Sequence, residues 1–116
     1  MYYFKAIILK GCPYAIALKD LLESKYKDIM VEYIMVDNTT KIKYKTNIIN
    51  TFPQLYFKAE NSEMNILLGG YDSMIKLINI LKENDSIDII KKKIASEYPD
   101  MSNKIILRLI QLLIIK

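Results

Sequence analysis

Cys12 is the residue of this sequence whose type is best suited to nucleophilic chemistry. The 116-residue chain holds one cysteine and no histidine. Cys–His and Ser–His catalysis are therefore excluded. A lone cysteine cannot close an internal disulfide, and most zinc sites need more than one. The thiolate is the reactive form of cysteine. Because the chain has no histidine to activate the thiol, any activity at Cys12 must depend on backbone dipoles and lysines.

Cys12 stands between a predicted strand over residues 2–9 and a predicted helix that begins at Pro13. Proline suits the first position of a helix, because its missing N–H would be unpaired there anyway. The unpaired amides and the positive end of the helix dipole favour an anion, and Lys10 adds a nearby positive charge. Two interpretations stay open on this stretch alone: a nucleophilic thiolate, or a small buried apolar side chain.

Two further features could belong to the same site. Pro53 precedes a predicted strand, where an X–Pro bond can be cis; the alternative is a proline at a strand edge. The pair Gly69–Gly70 ends the fourth predicted strand, and Asp72 or Ser73 is predicted to cap the next helix. Glycines let a backbone approach a ligand closely, and helix N-terminal amides can hold a carboxylate. The alternative here is an ordinary turn before a capped helix.

The elements that must position these residues are predicted in the order strand, helix, strand, helix, strand, strand, helix. The first half repeats a strand–helix unit, which implies parallel strands with right-handed crossovers. A hairpin over residues 54–70 adds antiparallel strands. Residues 29–37 form an almost continuous apolar run, so we expect a strand buried on both faces. Residues 42–50 indicate a weak, lysine-rich helix.

Two more helices are predicted in the C-terminal part, separated near Pro99 and restarted by a cap at Asp100 or Ser102. The last helix is apolar on nearly all sides, and such a helix is usually buried. It would pack on the domain or on another copy of the chain. The predicted organisation is a domain over residues 1–84 and a C-terminal helical extension over residues 85–116.

The charge and hydropathy of the sequence limit the kinds of partner that can be expected. The net charge of +4 is a mild basic bias, with lysines spread along the chain apart from the run Lys91–Lys93. Nucleic-acid binding would need a clustered stripe and a recognition motif, so no nucleic-acid partner is expected. No stretch reaches the roughly 20 apolar residues of a membrane span, so no membrane partner is expected. A single cysteine fits a reducing compartment, and we expect a cytoplasmic protein.

Taken together, the three motifs resemble the glutaredoxin family. Cys-Pro-Tyr follows the first strand, Thr-Phe-Pro precedes the third, and Gly-Gly-x-Asp precedes the third helix. The resemblance covers roughly residues 2–83. It implies an α/β, three-layer thioredoxin-like fold, in which helices flank a four-stranded mixed sheet and the C-terminal helices are added.

The resemblance also implies a role for each matching residue. Cys12 would be the nucleophile, with Tyr14 beside it. Phe52, just before the cis-proline, would pair its backbone with the cysteinyl unit of glutathione, and Asp72 would lie near the γ-glutamyl amino group. The glutathione-binding residues implied are Lys10, Tyr14, Thr51, Phe52, Pro53, Gly70, Tyr71 and Asp72. No metal-binding residue is implied.

The chain departs from the family pattern at three positions. Ala15 stands where dithiol members carry a second cysteine, Phe52 replaces a valine, and Lys10 lies two residues before the cysteine rather than three. Without a resolving cysteine, Cys12 can still attack the glutathionyl sulfur of a protein–glutathione mixed disulfide, and a second glutathione can release it. The Cys-Pro-Tyr-Ala motif therefore indicates a monothiol variant.

Three functions are compatible with these residues. The first is a monothiol glutathione-dependent oxidoreductase that reduces glutathionylated protein thiols, with glutathione as co-substrate. The second is a dimer that holds a [2Fe–2S] cluster with two glutathiones and one Cys12 thiolate from each chain. The third is a non-catalytic thioredoxin-fold adaptor acting through its apolar C-terminal helix. A homodimer through the C-terminal helices is a further expectation.

Overall fold

The computed structural model describes residues 1–114. Residues 115 and 116, which belong to the predicted C-terminal extension, lie outside the described residues. The elements in chain order are β1 (Tyr2–Leu9), α1 (Pro13–Lys25), β2 (Val31–Val36), a 3₁₀ turn (Lys41–Tyr44), β3 (Gln54–Ala59), β4 (Asn65–Gly69), α2 (Tyr71–Glu83), α3 (Ile87–Glu97) and α4 (Asn103–Ile114).

The four strands form one mixed sheet in the order β2-β1-β3-β4. β1 pairs with β2 in parallel, as expected of a strand–helix–strand unit, and with β3 in the antiparallel sense. β3 and β4 are the two arms of the predicted hairpin. The prediction of a four-stranded mixed sheet flanked by helices, with further helices at the C-terminus, is confirmed.

The prediction that the second strand is buried on both faces is wrong. β2 lies at an edge of the sheet and pairs only with β1. Val36 is its one buried residue, and the side chains of Glu32 and Met35 are exposed. An apolar run looks the same in a central strand and in an edge strand, because burial depends on the order of strands in the sheet.

The predicted helix over residues 42–50 is also wrong, since only the 3₁₀ turn at Lys41–Tyr44 forms there. Local side-chain hydrogen bonds replace a helical ladder at the start of this loop. The Asp37 carboxylate accepts hydrogen bonds from the backbone N–H groups of Thr39, at 2.8 Å, and Thr40, at 3.0 Å. Hydrogen bonds from the hydroxyl and amide of Thr39, then from Thr40, lower the pKa of Asp37 to about 2.

The C-terminal helices share one core with the sheet. Their caps form as the sequence indicates: Ser86 accepts from the amide of Ile89, and Ser102 from that of Ile105. Six of their side chains are buried in the same apolar cluster as the strands: Ile90, Ile94, Ile106, Leu109, Ile110 and Leu113. α4 therefore packs on its own chain along one face, while Leu107 on another face stays 38% exposed.

None of the helices within residues 1–114 has the length and apolar character needed to cross a bilayer.

Tyr98, just after α3, links the C-terminal helices to the sheet through a hydrogen bond. Its hydroxyl donates a 2.6 Å hydrogen bond to the carbonyl oxygen of Leu68 in β4, and Leu68 is buried. Burial, then the charge of Glu97, raises the pKa of Tyr98 to about 12.

We expect Tyr98→Phe to lower the free energy of unfolding by about 1–3 kcal/mol, because the buried Leu68 carbonyl loses its donor. The native tyrosine favours the neutral phenol, so its contribution is present below pH 10 and is lost as the pH rises toward 12. Urea unfolding at pH 7 and pH 11 measures both effects. Tyr3→Phe, whose hydroxyl forms no hydrogen bond within residues 1–114, is the matched control. Equal unfolding midpoints for the two variants would contradict this assignment.

Candidate active site

The sheet topology brings the three motifs to one edge. β1, β2 and β4 run in one direction and β3 in the other. The chain therefore leaves β1 toward Cys12 and leaves β4 toward Gly70 at the same edge where it enters β3 from Pro53. Segments that are far apart in sequence meet there because the strands end together.

Cys12 is the N-cap residue of α1, and Pro13 is the first helical residue, as predicted. The Cys12 backbone is fixed at both ends: its N–H donates to Leu9 at 3.2 Å, and its carbonyl accepts from Ile16 at 3.0 Å. Its side chain makes no capping hydrogen bond. The half-buried thiol instead lies 3.8 Å from the carbonyl oxygen of Phe52. The thiol is therefore held between the N-terminus of α1 and the segment over residues 51–53 before β3, which we call the proline loop.

The peptide bond between Phe52 and Pro53 is cis, as the motif indicated. Pro53 is buried, Phe52 is half-buried and Thr51 is exposed. The antiparallel register of β1 and β3 ends at the pair Ile7–Gln54, so Phe52 lies just beyond the ladder.

Gln54 fixes the proline loop, and sequence reasoning missed it. Its side chain is 1% exposed and fully hydrogen-bonded. Its amide donates to the carbonyl oxygens of Tyr44, at 2.7 Å, and Thr51, at 3.3 Å, while its side-chain oxygen accepts from the Tyr56 hydroxyl at 2.9 Å. The sequence signal that could have identified Gln54 is a polar residue at an inward position of the strand directly after Pro53, because a buried polar side chain needs hydrogen-bond partners.

The glycine pair allows α2 to start against the proline loop. Gly69 has φ +121°, and a Cβ there would overlap the Ser73 side chain. A Cβ on Gly70 would lie 3.3 Å from the carbonyl oxygen of Pro53. The predicted cap at Asp72 or Ser73 is wrong: Gly70 is the N-cap residue, and both side chains lie in the first turn. The helix starts earlier because the two glycines complete the turn before it.

A cleft of about 340 Å³ opens between these segments. The residues that line it are Tyr14, Thr51, Phe52, Pro53, Gly70, Tyr71, Asp72 and Ser73. Seven of these are residues that the sequence indicated, and Ser73 is the one it missed. The rings of Tyr14 and Tyr71 stand with centroids 6.3 Å apart. Cys12 does not line the cleft, but its sulfur contacts the Phe52 carbonyl.

Lys10 is not brought into the cleft. It is exposed at the end of β1, where its backbone N–H donates to the carbonyl oxygen of Val36 at 2.9 Å. No group of three or more cysteine, aspartate or glutamate side chains in residues 1–114 is placed to hold a metal ion.

Comparison with known proteins concerns the fold. No protein-family model matches the chain, and no curated protein matches it in sequence. Among solved structures, glutaredoxin 1 from Francisella tularensis, crystallised with cacodylate, superimposes with a TM-score of 0.53 at 17% identity. The match covers 72% of this chain and 100% of that one. The thioredoxin-like fold that the motifs implied is thereby confirmed.

Proposed function

We propose that this protein is a monothiol, glutathione-dependent thiol–disulfide oxidoreductase that removes glutathione from protein thiols through Cys12. The observation that carries the proposal is the 3.8 Å contact between the Cys12 sulfur and the Phe52 carbonyl oxygen. Phe52 also lines the cleft. This contact places the only thiol of the chain beside a pocket of the size a small ligand needs.

The position of Cys12 supports a nucleophilic role. As the N-cap residue of α1 it lies at the positive end of the helix dipole, near the amides of the first turn. Its side chain takes no part in capping. A sulfur at this position can reach a bound disulfide without giving up a capping hydrogen bond, and the thiolate is the form of cysteine that attacks a disulfide.

The cleft offers groups for two of the three parts of glutathione, the cysteinyl unit and the γ-glutamyl unit. Phe52 lies outside the β1–β3 ladder, so its backbone can pair with an extended cysteinyl unit. A ligand paired there carries its sulfur toward Cys12, because the thiol contacts that same residue. At the other end, the N-terminus of α2 at Gly70 and Tyr71 suits the γ-glutamyl carboxylate. Asp72, the one charged residue of the lining, suits the ammonium group.

The reaction needs one cysteine. The Cys12 thiolate attacks the glutathionyl sulfur of a protein–glutathione disulfide, and a new S–S bond to glutathione forms as the old one breaks. The protein leaves as a thiolate and takes a proton from water. A glutathione thiolate then attacks the Cys12-bound glutathione, which gives glutathione disulfide and restores the Cys12 thiolate. One turnover consumes one glutathione thiolate as the reductant, and the glutathione removed from the protein leaves joined to it as glutathione disulfide.

Ala15 supports the monothiol mechanism. It occupies the position of a resolving cysteine and is 0% exposed, packed in the core. No second thiol competes with glutathione for the mixed disulfide. The chemistry requires a reduced glutathione pool, so the proposed location is the cytoplasm, and the proposed partners are glutathione and glutathionylated proteins. The cluster-bearing dimer, the C-terminal homodimer and the adaptor role stay predictions.

Asp72→Asn tests the γ-glutamyl contact. We expect the KM for a glutathione mixed disulfide to rise about tenfold with kcat nearly unchanged, because the variant loses a charge-assisted hydrogen bond. Asp88→Asn is the matched control, since Asp88 occupies the same first-turn position of α3. Steady-state kinetics on both variants measure the effect. A KM within twofold of the parent value for Asp72→Asn would refute the contact.

A further inference from the structure

The loop between β2 and β3 presents a positively charged surface at the same sheet edge as Cys12. Residues 38–53 contain three lysines and no aspartate or glutamate. We call this surface the lysine loop and define it by five residues that follow one another closely in the chain. These residues are Lys41, Ile42, Lys43, Lys45 and Ile48.

The charge of the lysine loop has no partner within residues 1–114. The salt bridges of that part of the chain join Lys19 to Glu23 and Lys76 to Glu97. Asp37, the acidic residue nearest in sequence, is in neither salt bridge, and its Oδ1 accepts hydrogen bonds from Thr39 and Thr40. The three lysines are therefore available to an anionic partner.

Two isoleucines add apolar contact area. Ile42 is 73% exposed and Ile48 is 86% exposed. Large aliphatic side chains in water beside uncompensated charge suit a protein partner better than a nucleic acid, which is bound chiefly through its phosphates.

Hydrogen bonds hold the backbone of the lysine loop at two points, Thr46 and Tyr44. Thr46 closes a turn: its N–H donates to the Ile49 carbonyl at 2.7 Å, and its hydroxyl accepts from the amides of Ile48 and Ile49. Tyr44 is tied to the buried Gln54 side chain, which also holds Thr51. A surface fixed in this way loses little conformational entropy on binding.

We propose that the lysine loop docks an acidic segment of the substrate protein beside its glutathionylated cysteine. The inference rests on the proposed function for its geometry: a disulfide seated at Cys12 places the flanking residues of the substrate next to the loop that runs into Thr51 and Phe52. Carboxylates of those residues pair with Lys41, Lys43 and Lys45, and neighbouring apolar residues contact Ile42 and Ile48.

The test compares two peptides with the same central glutathionylated cysteine, one flanked by Asp and Glu and the other by Asn and Gln. We expect the parent protein to favour the acidic peptide by about tenfold in kcat/KM at low salt, and less at high salt, the order expected of three exposed ion pairs. The triple variant Lys41→Gln, Lys43→Gln, Lys45→Gln should lose this preference. The control triple variant Lys91→Gln, Lys92→Gln, Lys104→Gln removes the same charge from α3 and α4 and should keep it.

A small glutathione mixed disulfide without peptide flanks, such as that of 2-mercaptoethanol, tests whether the lysines bind the carboxylates of glutathione or those of the substrate protein. The lysine-loop variant should turn it over at the parent rate. A loss there equal to the loss on the acidic peptide would mean that the lysines bind glutathione itself, which overturns the proposal. A parent protein without preference for the acidic peptide also overturns it, as does single-stranded RNA bound more tightly than that peptide.

Binding without turnover distinguishes failure of the docking surface from failure of the proposed function. Fluorescence anisotropy of the labelled acidic peptide is measured with full-length Cys12→Ser. Lysine-dependent binding combined with no turnover by the parent protein would refute the oxidoreductase and support the docking surface. Turnover without lysine-dependent binding would do the reverse.

Discussion

Replacing Cys12 by serine is expected to abolish turnover of a glutathione mixed disulfide, with kcat/KM falling by at least roughly 10³-fold. A serine hydroxyl is not ionised at neutral pH and cannot form the mixed disulfide on which both steps depend. The sequence provides no second thiol that could substitute. The measurement is the steady-state rate of glutathione disulfide production.

Cys12→Ser also separates chemistry from folding. Cys12 is the N-cap residue of α1 and its own side chain makes no capping bond. Serine is among the preferred N-cap residues, so we expect the variant to be at least as stable as the parent. An inactive protein with an unchanged urea midpoint is the expected combination. Turnover within tenfold of the parent rate would refute Cys12 as the nucleophile.

Leu109→Ala is expected to lower the free energy of unfolding by about 2–5 kcal/mol. Leu109 is 0% exposed in α4 and belongs to the apolar cluster that includes Phe4 and Phe57 of the sheet. Truncating it leaves a cavity that the surrounding helices and strands close only in part. Against a total stability of about 5–15 kcal/mol for a domain, the loss is large.

Leu107→Ala is the matched control, because Leu107 lies on the same helix and is 38% exposed. We expect it to cost less than about 1 kcal/mol. Urea unfolding followed by near-ultraviolet circular dichroism of the tyrosines reports the packing of the sheet domain. Equal small effects of both substitutions would mean that α4 is not part of the folding unit, and would favour the predicted division at residue 84.

Some elements could be predicted because local patterns determine them. Pro13 suits only the first turn of a helix, so the start of α1 follows from one residue. The hairpin of β3 and β4 follows from two apolar runs joined by a polar turn at residues 60–63. The cleft could be indicated because its residues lie in three short motifs that the resemblance connects.

Other features depend on the assembled sheet and could not be predicted locally. The edge position of β2 is a property of strand order, and the loop at residues 37–53 follows side-chain hydrogen bonds such as those of Asp37. Ser73 lines the cleft only because α2 starts at Tyr71, and Gln54 matters only because its amide reaches Tyr44. The edge position of β2 and the roles of Ser73 and Gln54 each depend on where a second segment of the chain lies, which a local sequence pattern does not give.

The central claim, transfer of glutathione to Cys12, is tested most directly by intact-mass spectrometry after mixing the protein with one equivalent of a glutathionylated peptide. We expect one glutathione on the protein, located at Cys12 by peptide mapping, with an equal amount of free peptide thiol. Added glutathione should then remove it as glutathione disulfide. A peptide rather than a glutathione bound to Cys12, or no adduct at all, would contradict the proposed mechanism.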